Sequence, residues 1–213
     1  MAARFWANVD VDIETTRAAA TPITSITKAN PGLISYTGTD PVNNDVLVMS
    51  IAGMTELHTR AFAAKNVVAA SNTMDVGEDT TGYHTFTSGS FQIATMGVSM
   101  INVQDVSASG GEPEFADITT IHDQIRRRVP TVVSPFSIQF GCIFEPGDPA
   151  MVELGKASRS LTTRVVRIVF ADGSFMVGNA YCSAAGVPTG SAQDVVKTNV
   201  NLEFQGLPTV YGS

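Results

Sequence analysis

The chain has 213 residues, 44% of them hydrophobic and 15% charged, with a formal net charge of −7. A chain of this length buries roughly 70% of its extended surface, and so hydrophobic a composition excludes a disordered protein; no apolar run approaches the roughly 20 residues of a membrane-spanning helix. The acidic balance argues against a sequence-independent DNA binder, which needs a basic surface to neutralise phosphates, but leaves room for a protein that handles DNA while repelling it.

Asn8, Asp10 and Asp12 interrupt the start of the chain before a signal-peptide apolar core builds up, so we expect a soluble protein made in a cytoplasm. The β-branched residues set the fold class: 24 Val, 13 Ile and 23 Thr stand against 7 Leu. Stiff χ1 rotamers suit a pleated sheet, whereas Leu is the usual filler of helical cores. With 18 Gly and 10 Pro spread along the chain as punctuation, the composition predicts a mainly β protein.

A first strand is predicted over roughly 5–15, where Val9, Val11 and Ile13 alternate with Asp10, Asp12 and Glu14. That spacing makes an acidic strand face, which we expect to be solvated and not catalytic. A linker follows over 17–22. From 23 to about 89 the texture changes to short strands between turn clusters at 29–32, 38–41, 43–45 and 77–79, which reads as a compact β-module. Residues 40–45 superficially resemble a calcium loop, but they lack its central glycine and distal glutamate, so an Asx-Pro turn is expected.

From 90 onward the strands lengthen. The glycine-rich stretch 107–111 reads as a flexible loop, and 121–128 as a short helical turn before Pro130. A period-two stripe follows over 136–144. Asp148 and Pro149 open a helix over about 148–160, with Met151, Leu154, Ser158 and Leu161 at helical spacing. Strands at 164–170 and 175–182 flank the Asp172-Gly173 hairpin turn, and a last stripe covers 196–204.

Chemistry is hard to find in this pattern. His58, His84 and His122 are isolated from one another and none lies in a zinc-type spacing, while Cys142 and Cys182 read as buried thiols and not as a disulfide. Neither a nucleophile elbow nor a phosphate-binding loop is present. We therefore expect no catalytic, metal or cofactor site. Net charge is uneven, −2 over 1–60, −7 over 61–123 and +2 over 124–213, and such asymmetry suits charge-complementary self-association. The basic run Arg126, Arg127 and Arg128 and the acidic Asp105, Glu112 and Glu114 are the candidate subunit-interface residues.

Three stretches carry a resemblance. PITSITKANPGLI (22–34), IAGMTEL (51–57) and DTTGYHTFTSG (79–89) resemble, in the same order, a small β-module that recurs in phage tail proteins. The sequence departs from it at Asn43-Asn44-Asp45 and His58-Thr59, where the module has Asn-Gly turns, so those turns are expected to differ in type. The order of 115–120, the 136–144 strand, 147–149, the 164–175 hairpin and 204–206 is similar to the major tail tube protein of long, non-contractile phage tails. The resemblance implies a tube-forming β-sandwich or partial barrel with one helix, made of 1–21 and 90–213, with 22–89 as an inserted small β-module. It further implies a non-enzymatic virion protein, assembled in the host cytoplasm, that forms hexameric rings stacked into a tube. Its expected partners are copies of itself and other tail proteins (tape measure, terminator, baseplate), with DNA passing through the lumen without specific binding and no membrane contact. A tail terminator or baseplate ring on the same scaffold is the alternative. A carbohydrate-binding β-sandwich adhesin is a weaker one, since one Trp and 4 Tyr make a poor platform for sugars.

Overall fold

The computed structural model describes residues 8–184, 186–191 and 193–212; the expected start of the first strand, at Phe5, lies outside them. Among the described residues the chain is mainly β, with one α-helix. The strands are β1 (Asp10–Arg17), β2 (Thr21–Ile26), β3 (Leu33–Tyr36), β4 (Val46–Ala52), β5 (Ala61–Ala63), β6 (Lys65–Val68), β7 (Thr73–Asp75) and β8 (Ser88–Met100). Then come β9 (Val103–Ser109), β10 (Pro113–Asp117), β11 (Arg128–Val133), β12 (Ser137–Ile143), the helix α1 (Pro149–Ser160), β13 (Thr163–Val169), β14 (Phe175–Ala184), β15 (Lys197–Phe204) and β16 (Thr209–Tyr211).

Fourteen strands hydrogen-bond into one sheet, ordered β6-β7-β3-β2-β8-β1-β13-β14-β15-β12-β9, with β4, β5 and β16 as side branches. Every named pair is antiparallel. The long β8 sits at the junction: its first half pairs with β2 and β4, its second half with β1. The expected linker is shorter than predicted and stays on the sheet, since the Ala18 amide donates to the Ile93 carbonyl at 2.8 Å.

Two apolar clusters form on this sheet. One gathers Val11, Ile13, Phe140, Ile168, Val200 and Leu202 under the helix. The other gathers Ile34, Tyr36, Met49, Phe62, Met74 and Phe91, all from 23–91. A smaller patch around Val48, Ala61, Val165 and Val177 lies between them. The alternation predicted for β12 and β15 is observed: Ile138, Phe140 and Cys142 are buried, as are Thr198, Val200, Leu202 and Phe204.

The helix forms where its signals place it. Asp148 Oδ1 accepts the Ala150 amide at 2.9 Å, Pro149 occupies the first turn, and Leu161 ends the helix at φ 53°. Its buried face agrees with the expected stripe in part: Leu154 is buried and Met151 packs against the core, but Ala150 and Ala157 face the core as well, while Leu161 is 79% exposed. Two alanines let the helix axis approach the sheet closely, which larger side chains at 150 and 157 would prevent. The hairpin at 171–174 closes as predicted, with Gly173 at φ 81° and its amide donating to the Phe170 carbonyl.

Candidate assembly surface

The loop expected at 107–111 is not a loop. Residues 107–109 continue β9, which pairs with β12, and only Gly110 and Gly111 bend, at φ 95° and 80°. A Cβ on Gly111 would sit 2.5 Å from the Phe136 ring, so the bend needs glycine both for its dihedral and for this approach. Beyond it the same two chain segments pair again as β10 and β11, a separate two-stranded ribbon. The ladder is bridged across the bend by the Gly111 amide to the Ser134 carbonyl, 3.1 Å, and the Ser134 amide to the Glu112 carbonyl, 2.9 Å.

Every residue of β10 and β11 is exposed. The ribbon and its tip nevertheless carry Phe115, Ile118, Ile121, Ile125, Val129, Val132 and Val133, with Ile121 97% and Ile125 80% exposed. Among the described residues nothing covers this apolar arm. The tip is not the predicted helical turn. Thr120 and Asp123 have the spacing of a helix capping box, and Asp123 does accept the Thr120 amide at 2.9 Å. The chain then turns back, with the Ile118 amide donating to the Arg127 carbonyl at 3.0 Å, and Arg128 opens β11. Asp117 holds the other side of the tip by accepting the Thr119 amide at 2.9 Å. The Thr119 hydroxyl and amide, with Arg128 nearby, hold the Asp117 carboxyl below its ordinary value, and the Thr120 amide does the same for Asp123.

The structure separates the candidate interface residues. Arg126 and Arg127 are at the tip, Glu112 and Glu114 at the base of the arm, and Asp105 lies on β9, its carboxylate over Gly141. The basic run is partly answered within the arm: Arg127 is 3.8 Å from Asp123, and Arg128 lies opposite Asp117 in the ladder.

The acidic face of β1 breaks up in a different way, and here the expectation of a solvated row needs correcting. Register shifts against β8 on both sides of Glu14 disrupt the alternation, so Ile13 and Glu14 both point inward. Glu14 is 1% exposed. Its carboxylate accepts from Arg17 Nη2 at 2.9 Å and from the Val165 amide at 2.6 Å. Asp12 accepts from Arg167 Nη2 and Ser99 Oγ, both at 2.7 Å, and only Asp10 remains open to solvent.

His58 Nδ1 accepts the Ile51 amide at 3.1 Å, His84 pairs with Glu56 at 2.6 Å, and His122 lies exposed on the arm tip. The two cysteines are free and buried, and burial pushes their thiols up, Cys142 to about 11 and Cys182 to about 12. Among the described residues no group of histidine, cysteine and acidic side chains is placed to hold a metal, and no helix is long and apolar enough to cross a membrane.

The described residues thus form a mainly antiparallel β protein with an exposed apolar arm, and exposed apolar patches of this size mark contacts with other molecules. The family comparison makes the class particular: a model of the phage tail tube protein family matches residues 52–213, and the chain belongs to that family. It is a structural protein of a phage tail. Comparison with curated proteins finds no match.

Proposed function

We propose that this chain assembles into six-membered rings that stack into the tube of a long, non-contractile phage tail, and that DNA passes through the lumen at infection. The observation that carries this reading is the β10–β11 arm. An isolated two-stranded ribbon is marginal in water, and one bearing this much exposed apolar surface gains stability only when another surface covers it. The covering surface is a neighbouring copy, in the adjacent ring. The outer edge of β9 has no strand partner among the described residues, and pairing such edges around a ring removes them. Contacts between rings are head-to-tail and need not close, so stacking yields a filament.

The tube-forming body is 1–21 with 90–213, and 22–89 is an inserted module; the separation of the two main apolar clusters supports this division. Copies carrying −7 each give an acidic assembly that repels phosphates, which suits DNA moving through without dwelling. The role is structural and not catalytic. Tape measure, terminator and baseplate proteins are its expected neighbours in the virion, and assembly takes place in the host cytoplasm.

Negative-stain microscopy of the purified chain tests this. Tubes of indefinite length are expected; discrete single rings would favour a terminator or baseplate role, and persistent monomers at high concentration would overturn self-assembly. Reversing the charges of Arg126, Arg127 and Arg128 to Glu is expected to reduce tube yield several-fold with unchanged subunit circular dichroism. Equal yield would remove these residues from the interface.

A further inference from the structure

We propose that residues 205–211, which follow the last long strand, are a strap that locks the 22–89 module in one orientation on the body. The inference rests on the division into body and module given above, but not on tube formation.

The strap's backbone belongs to the body. Its β16 pairs with β14 through Thr209↔Val177 and Tyr211↔Phe175, and the Gln205 amide donates to the Asn179 carbonyl at 2.8 Å. Its side chains and carbonyls instead reach the module. The Tyr211 hydroxyl accepts the Ala63 amide at 2.9 Å and lies 3.4 Å from the Val76 carbonyl, to which it donates. The Tyr211 ring stacks on Phe175 of the body at 5.0 Å, and Lys65 of the module sits 5.3 Å above it.

Arg60 is the module's side of the joint. A guanidinium has five N–H donors in a fixed fork, and all five are engaged. Nε donates to the Leu207 carbonyl at 3.0 Å, and Nη2 to Thr209 Oγ1 at 3.3 Å and Glu78 at 3.0 Å. Nη1 donates to Glu78 at 3.0 Å and to the Glu56 carbonyl at 3.2 Å. Only 6% of Arg60 is exposed, so two bonds of a buried cation would be lost if the strap left. Gly206, at φ 121°, is shaped to the same residue: a Cβ there would lie 2.8 Å from Arg60 Cγ.

Thr59 adds an independent mark of a forced fit. It holds φ 61°, a region that a β-branched residue enters only when its surroundings impose it. Its carbonyl accepts Asn179 Nδ2 at 2.9 Å, and its hydroxyl donates to the Gln205 carbonyl at 2.9 Å. Body and strap therefore grip this turn from both sides.

The test uses the full chain as unassembled subunit, at a concentration or salt that keeps it dispersed. Tyr211→Phe keeps the ring stack and removes the hydroxyl, and should speed amide exchange at Ala63 by roughly two- to ten-fold, the range of one lost hydrogen bond. A chain ending at Gln205 should leave β12–β15 protected while residual dipolar couplings of 22–89 no longer fit the alignment of the body. Unchanged exchange at Ala63 in Tyr211→Phe, or a shared alignment in the shortened chain, would overturn the strap. Collapse of body protection in the shortened chain would also overturn it, because the segment would then be body core. Tube yield of the same samples reports on the assembly reading separately.

Discussion

Asp12 and Glu14 lie two residues apart on one strand and meet different surroundings. The Asp12–Arg167 pair is partly open, with side chains 14% and 30% exposed, so water competes for it and its worth is small. Glu14 is buried and also accepts a backbone amide, so removing it strands the Val165 N–H and takes the carboxylate from Arg17, which keeps its bonds to Thr163 and Asn179. We expect Glu14→Ala to cost about 2–4 kcal/mol and Asp12→Ala under about 1 kcal/mol, read from urea unfolding; equal costs would refute the contrast. Alternation along β1 makes the acidic row legible in the sequence, yet it places Glu14 on the outside. The bulge that turns it inward depends on pairing with β8, some eighty residues away, and leaves no local sign. The cysteines were legible as buried thiols. Because their folded pKa values lie above the ordinary 9.0, the neutral thiol is favoured on folding; that contribution is complete below pH 9 and fades as pH rises toward 11–12. Iodoacetamide at pH 8.5 should therefore leave both thiols unmodified in the native chain and alkylate both in urea; native labelling would contradict their burial.

Among the elements, the helix was the most legible, because capping chemistry is local. Asp148→Ala should destabilise the subunit by about 1 kcal/mol with the helix retained, as measured by denaturant midpoint and circular dichroism; no change would mean the cap contributes nothing. Its buried face was less legible, since Ala150 and Ala157 join Leu154 in the core through close packing on the sheet, which helical spacing alone does not show. The arm was the least legible element. Its glycines read as a flexible joint and its tip as a helical turn, whereas the ladder from β9 through β10 is a long-range feature. The signal available was the run of apolar residues at 115–133 in a stretch otherwise marked by turns. Replacing Ile121 and Ile125 by Asp should leave subunit stability within about 0.5 kcal/mol, as expected at exposed sites, while tube yield falls at least several-fold. A variant that assembles normally would take the tip out of the contact.

At the scale of the whole molecule, the mainly β class is legible in the composition, and the stretches at 22–34, 51–57 and 79–89 carry the resemblance to phage tail proteins. Where the sequence departs from that resemblance, Asn44 and Thr59 hold φ 73° and 61°, a region in which glycine would be at ease. Asparagine tolerates that region through its own short polar side chain; threonine does so only with the grip of Asn179 and Gln205. Arg60 had no sequence signature, because its acceptors come from Glu56, Glu78, Leu207 and Thr209, which only the folded chain assembles.

The thirteen-residue β8 gives the subunit a mechanical property. Its first half is zipped to β2 and β4 and its second half to β1, so one unbroken stretch of backbone runs from one apolar cluster into the other. Antiparallel bonds stand perpendicular to the strand. A tug along β8 thus strains a whole row of them sideways together instead of peeling them singly, and tension entering at either cluster is carried directly into the other.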